Sequence, residues 1–132
     1  MRQRLTENFW ADEFWCKHCR RLELHPGFIE RLQEGRIELD LPMHPTSACR
    51  CWRYNQDIGG HEKSLHICDV PQHPGQQGCL AVDLAAVDGA YRGKLFSVLW
   101  DLGFSLGWNA KRGFLHADLR VLVGLPQTTF DY

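Results

Sequence analysis

The chain has 132 residues, 44% hydrophobic and 23% charged, with a formal net charge of -1 and a pI near 6.6. That is enough chain to bury one core, so a single domain over residues 1–132 is expected, and the hydrophobic content excludes a disordered polymer. The balanced charge offers no basic face for nucleic acid, and no apolar run approaches the ~18 residues of a membrane span.

The N-terminal stretch MRQRLTENFWADEFW has no continuous apolar segment, so it does not read as a standard signal peptide. Phe9, Trp10, Phe14 and Trp15 are expected to anchor this segment to the core. Residues 26–34 predict a short helix, with Pro26 in its first turn, Phe28, Ile29 and Leu32 on one face, and Gly35 as a stop. Ile37, Leu39, Leu41 and Met43 then alternate with mostly polar residues, which predicts a half-buried strand. Residues 45–60 are polar and turn-rich, and residues 67–79, with two prolines and two glycines, predict an exposed loop. Residues 80–85 predict a strand. A second helix is expected from about 89 to 102, capped by Asp88 and closed by Gly103, and a last strand over 113–122. Helices and short strands mix without regular alternation, which favours an α+β fold with a small antiparallel sheet and flanking helices.

The last predicted strand carries a chemical signal. Side chains alternate along a strand, so Leu115, Ala117, Leu119 and Val121 share one face and Phe114, His116, Asp118 and Arg120 the other. The first set suits a core; the second lines up an imidazole, a carboxylate and a guanidinium. Over 80–85, Val82 and Leu84 face the core while Asp83 faces away between two alanines, which leave room for a group to approach its carboxylate. Singly, each has a structural explanation: a hydrogen-bonded histidine, a turn-capping aspartate, a surface ion pair between Asp118 and Arg120 worth under ~1 kcal/mol.

Six cysteines and seven histidines make a high density of potential metal ligands. Cys16 and Cys19 have the C-x-x-C spacing of half a structural zinc site, a possible second metal site that Cys49, Cys51, Cys68 or Cys79 could complete after folding. Ordinary buried thiols are the alternative. A thioredoxin-like redox role is disfavoured, because no strand precedes the motif. Trp52, Trp100 and Trp108 suit either core or cleft wall.

The stretch SACRCWRYNQDIGGHEKSLH, with LAVDLA and GFLHADLR after it, resembles the zinc D-alanyl-D-alanine carboxypeptidases and phage endolysin peptidases, which share a fold with the hedgehog signalling domain. The resembling features are Ser47 to Arg50, Asn55, Gly59-Gly60, Ser64-x-His66, Ala81-x-Asp83 and His116-x-Asp118, and the likeness spans roughly residues 9–132. It implies a hedgehog/DD-peptidase-like fold and one Zn2+ held by His66, Asp83 and His116, with the fourth position open for water. It also implies hydrolysis of an amide bond in peptidoglycan stem peptides by a monomeric enzyme. Such a protein would stay in the cytoplasm until released, or be phage- or prophage-encoded and act on the wall. The chain departs from the family pattern H-x-x-G-x-A-x-D, because DVPQHPGQQG reads as an insertion between His66 and Asp83; this makes His73 a rival first ligand, without the Ser-x-His context. Asp118 is the candidate general base, with orienting His116 as its competing role. The family's usual acidic residue, three positions before the last histidine, is replaced by Gly113. Arg50 is implied to bind the substrate carboxylate or the developing oxyanion, and Ser47 and Ser64 to add hydrogen bonds. A zinc-binding module of the same fold without catalysis is the alternative function.

Overall fold

A computed structural model describes residues 2–132. Three helices, α1 (Phe28–Leu39), α2 (Trp52–Asp57) and α3 (Gly89–Asp101), accompany five strands: β1 (Pro45–Ser47), β2 (Ala81–Ala85), β3 (Ser105–Asn109), β4 (Phe114–Asp118) and β5 (Thr129–Asp131). The strands form one sheet in the order β1-β2-β4-β3-β5. Every pairing is antiparallel except that of β3 with the edge strand β5. This is the α+β class expected, with one parallel pair added to the antiparallel sheet. None of the helices described is long and apolar enough to cross a membrane.

The core lies between the sheet and the α1–α3 pair. Phe28, Leu32, Gly35 and Leu39 fall on one buried stripe of α1, and Leu95 and Leu99 face them from α3. Asp88 caps α3 as predicted, its carboxylate accepting the Tyr91 N–H at 2.9 Å. Phe9 and Phe14 are fully buried and meet edge to face, with centroids 5.4 Å apart, so they anchor the N-terminal segment. Trp10 and Trp15 instead stay half-buried, the first beneath Arg2 and Arg4 and the second beneath Arg20.

The strand expected from Ile37 to Met43 is not there. Helix α1 runs on through Gly35 to Leu39, and Ile37 lies exposed on its outer face. Ile37 and Leu39 point to opposite sides of the helix end, exposed and buried, and Leu41 and Met43 lie beyond it, so the alternation spans two different segments. Gly35 sits in the helix interior because a side chain there would press on Leu99, so close packing overrides its helix-breaking tendency. The last strand ends at Asp118, and residues 120–123 continue as a 3-10 turn. Strands β3 and β5 and the short helix α2 had no predicted counterpart. The segment 67–79 is irregular, as expected, touching the rest through isolated bridges at Ile67 and Cys79.

Candidate metal centre

Two of the three predicted ligands are placed by the sheet. In the ladder Asp83 lies opposite His116, Ser47 opposite Asp83, and Gly107 opposite both His116 and Phe130. One row across the sheet therefore carries Ser47, Asp83, His116, Gly107 and Phe130 on the same face. Gly107 makes this row possible, since a Cβ there would lie 2.5 Å from the Phe130 ring. Phe130 leans across that gap to within 5.6 Å of the His116 ring, and Tyr132 stacks on His116 at 4.4 Å between centroids.

His66 arrives from a loop. The Arg50 N–H donates to the His66 carbonyl at 2.9 Å and the Cys68 N–H to the Arg50 carbonyl at 3.0 Å, a short parallel bridge. The Leu80 N–H donates to the Leu65 carbonyl at 2.9 Å, so the loop that leaves at Ile67 returns beside its starting point. Buried Gln76 closes it, its Nε2 donating to the carbonyls of Ile67 (3.2 Å) and Gly78 (2.9 Å). The insertion between His66 and Asp83 thus leaves their spatial separation untouched. Loop length costs little once the ends are tied, with each doubling worth only about 0.6 kcal/mol.

His66, Asp83 and His116 are all buried, and one ligand atom from each falls within 4.8 Å of the others. His66 Nε2 is 3.2 Å and His116 Nδ1 3.1 Å from the same oxygen, Asp83 Oδ1. The far sides of both rings are fixed. His66 Nδ1 lies 2.7 Å from the Ala48 carbonyl, which can only accept, so Nδ1 carries the proton there. His116 Nε2 lies 2.8 Å from Asp118 Oδ2, and an ionised Asp118 makes that nitrogen the donor. In these tautomers the inner nitrogens present bare lone pairs to a carboxylate oxygen. Three acceptors converging with no proton between them need a cation, and two imidazoles with one carboxylate suit Zn2+ with an open coordination position. His73 lies apart on a cleft wall.

The carboxylates are held ionised. Burial works to raise Asp83, but His66 and His116 outweigh it when their inner nitrogens carry protons and hold the group well below the usual carboxylate range; a cation bound in place of those protons acts in the same direction. Burial likewise opposes Asp118, and hydrogen bonds from His116 and Arg120 bring it down. Both Asp118 oxygens are engaged: Oδ1 accepts from the Arg120 N–H (3.0 Å) and Nε (2.9 Å), and Oδ2 from Nη2 (2.8 Å) and from His116. The Asp118–Arg120 contact is therefore a bidentate pair on a fully buried carboxylate, not the surface pair the sequence also allowed. Asp118 meets His116 at the nitrogen opposite the one facing Asp83, and has no free lone pair directed at the convergence point.

Arg50 is buried beside Asp83. Its Nη2 donates to Asp83 Oδ2 (3.2 Å), its Nε to Ser47 Oγ (3.1 Å) and its Nη1 to Asn55 Oδ1 (3.4 Å). Asn55 in turn donates to the His61 carbonyl at 2.9 Å, and a Cβ on Gly60 would run into Asn55 Oδ1. The Ser-x-x-Arg, Asn and Gly-Gly features are thus one buried polar cluster. Ser64 Oγ accepts the His66 N–H at 3.1 Å, so Ser47 and Ser64 both serve first to position neighbours.

Two hollows of about 620 and 690 Å³ open beside the centre and share His61 and Tyr132 in their walls. The first is lined by His73, His116, Arg120 and Phe130; the second by Lys17, Arg50, Asp83 and Arg112. Aromatic walls come from Phe130 and Tyr132 in the first hollow and from Tyr54, Phe114 and Tyr132 in the second, while Trp52, Trp100 and Trp108 line neither. The TTFDY ending belongs to the family likeness in the sequence, but the packing of Phe130 and Tyr132 on His116 had no signal there. The model of the family described as Peptidase M15 matches residues 8–118. Comparison with curated proteins and with solved structures gives no match.

Proposed function

The chain belongs to the Peptidase M15 family, and from that premise we propose that it is a zinc-dependent peptidase hydrolysing amide bonds in the peptide stems of peptidoglycan. The observation that carries this reading is the convergence of His66 Nε2, Asp83 Oδ1 and His116 Nδ1 in fixed tautomers that leave a cation-sized demand between them. Bound there, zinc would lower the pKa of a water and polarise the scissile carbonyl.

The protein's own groups divide the remaining work. Asp118 is a positioning residue in this scheme: it holds the His116 Nε2 proton and so keeps Nδ1 available as a ligand. That leaves proton transfer to another group. His61 lines both hollows; its Nδ1 accepts the Lys63 N–H at 3.0 Å, so its proton sits on Nε2, and the ring takes up a further proton only when Nδ1 releases Lys63. His61→Ala should lower kcat roughly 10²-fold or more while zinc content stays unchanged, and an unaltered kcat would exclude His61 from the transfer. Arg50 gives three of its five N–H groups to Ser47, Asn55 and Asp83, so two remain for a substrate oxygen. With Lys17 and Arg112 it makes the second hollow cationic, which suits a free carboxylate of a stem peptide or the developing oxyanion. Burial, with Asp83 nearby, raises the Tyr132 hydroxyl above its ordinary range, so it stays protonated as a donor.

The deciding experiment is hydrolysis of a D-alanine-containing stem peptide and of purified wall, with chelator and after zinc is restored. Cleavage that chelator abolishes and zinc recovers is expected. Tight zinc binding with no peptide or wall cleaved would instead make the chain a non-catalytic zinc module.

A further inference from the structure

The six cysteines fall into two groups of opposite character. Cys49, Cys68 and Cys79 meet in the core. Cys68 draws the Cys49 thiol down, but Cys79 and burial outweigh it and leave Cys49 far above the ordinary thiol range; Cys68 is pushed up by Cys49 and by burial. Thiols of this kind behave as small hydrophobes.

Cys16, Cys19 and Cys51 are arranged differently. Their three sulfurs lie within 4.8 Å of one another at the edge of the core, with Cys19 exposed. The chain from Cys16 to Arg21 is a tight reversal: the Cys16 N–H donates to the Arg21 carbonyl at 2.8 Å, and the Arg20 N–H to the Cys16 carbonyl at 2.7 Å. Arg20 closes it with φ 61°, a left-handed conformation that an arginine adopts only at a cost. The reversal places both C-x-x-C sulfurs on one side. The Cys51 N–H donates to Cys16 Sγ at 3.3 Å. A backbone donor aimed at a buried sulfur favours the thiolate over the thiol. His18 stands next to this group, its Nδ1 3.7 Å from Cys51 Sγ and its ring parallel to Tyr54.

We propose that Cys16, Cys19 and Cys51 bind a second, structural zinc ion, with His18 Nδ1 as its fourth ligand. Binding displaces one proton from each thiol to solvent, with no change of oxidation state. A closed Cys3His set leaves no position for substrate, so the ion serves as a clamp. What it clamps follows from position. Cys51 adjoins Arg50 and caps α2, its sulfur accepting the Tyr54 N–H at 3.3 Å, while Cys16 and Cys19 belong to the segment anchored by Phe14. The clamp would tie that segment to the turn that presents Arg50. It involves none of the three residues at the first centre, so it stands or falls separately from the peptidase reading.

The test uses the whole chain purified without oxygen, as wild type, as Cys19→Ser and as the His66→Ala/His116→Ala double variant. Zinc analysis should give two equivalents in wild type and one in each variant. X-ray absorption on the double variant should show sulfur ligands at about 2.3 Å with one nitrogen. Cobalt substituted into it should give a thiolate charge-transfer band. Because Cys19 is exposed, Cys19→Ser should fold even if the double variant does not, and it should lose sulfur ligation and one equivalent. Zinc bound only by nitrogen and oxygen, an unchanged two equivalents in Cys19→Ser, or a disulfide among these cysteines in the anaerobic protein would overturn the proposal.

Discussion

The candidate metal centre at His66, Asp83 and His116 is built from two halves held in different ways. Asp83, His116 and Asp118 sit on adjacent strands, where Asp83 pairs with His116 and Ala81 with Asp118. Their relative positions are set by the ladder, and a one-residue slip would turn core side chains to the wrong face. His66 and Arg50 sit on irregular backbone and are held by a short bridge, by Ser47, Ser64 and Asn55, and by the Ala48 carbonyl. The sheet half is prefixed by the fold itself, whereas the loop half relies on individual polar contacts that can be removed one at a time. Substitutions in the two halves should therefore fail differently.

The largest effect is expected in the sheet half. His116→Ala removes a ligand and takes one partner from Asp118, which keeps Arg120, and one from Asp83, which keeps Arg50 and His66. Activity should fall about 10³-fold or more, corresponding to the several kcal/mol that a metal's charge stabilisation supplies. Zinc at this centre should be lost at the same time, and metal analysis beside a rate measurement checks both. Retained zinc with lost activity would place His116 outside the ligand set. Next comes the loop half. Arg50→Lys keeps a charge but loses the planar fork that reaches Ser47, Asn55 and Asp83 together. The rate should drop roughly 10²- to 10³-fold, as for loss of a transition-state donor, with zinc retained. Loss of zinc along with activity would show that Arg50 holds Asp83 in place more than it meets substrate.

The same division explains what could be read from the sequence. Asp83 and His116 were legible because strand alternation puts Val82 and Leu84, or Leu115 and Ala117, on one face and forces the polar residues onto the other. His66 rested on its Ser-x-His context and the family likeness, since its approach to Asp83 depends on a loop whose closure by Gln76 has no local pattern. The helical run through Ile37 was hidden because the alternation joined two residues on opposite sides of the helix end to two in the segment after it. Strand β5 escaped because a three-residue edge strand is fixed by its neighbour β3 and by the gap at Gly107, both distant in sequence. Asp118 was legible as chemistry, with the roles of base and of orienting His116 both open. Only the bidentate contact from Arg120 shows both its oxygens to be in use.

Asp118→Asn probes the sheet half without removing a ligand. The amide keeps the shape but weakens the bonds to Arg120 and His116, at about 1.5–3 kcal/mol for charge-assisted hydrogen bonds to a buried group. Zinc affinity should fall about 10- to 100-fold, as when a ligand's supporting group is lost. The pH dependence gives an independent readout. The folded pKa of Asp118 lies below its unfolded value of about 3.9, so its stabilisation is fully present above that pH and is lost as pH falls toward the folded value. Acid unfolding of Asp118→Asn should lack this component below about pH 4. A variant as acid-sensitive as wild type would mean that the carboxylate is not held ionised by Arg120 and His116.

The smallest effect is expected at His73, the other histidine that the sequence allowed as first ligand. Its loop is tied at Ile67, Gly78 and Leu80 by contacts that do not involve the imidazole, and His66 already fills the place beside Asp83. His73→Ala should leave zinc stoichiometry unchanged and stability within about 0.5 kcal/mol of wild type, as for a partly exposed side chain outside any network. Because His73 lines the hollow next to His116, a change confined to KM is the remaining expectation. Loss of one equivalent of zinc in His73→Ala, with His66→Ala retaining it, would reverse the assignment. The insertion would then carry the ligand, and the loop half would have to be rebuilt around it.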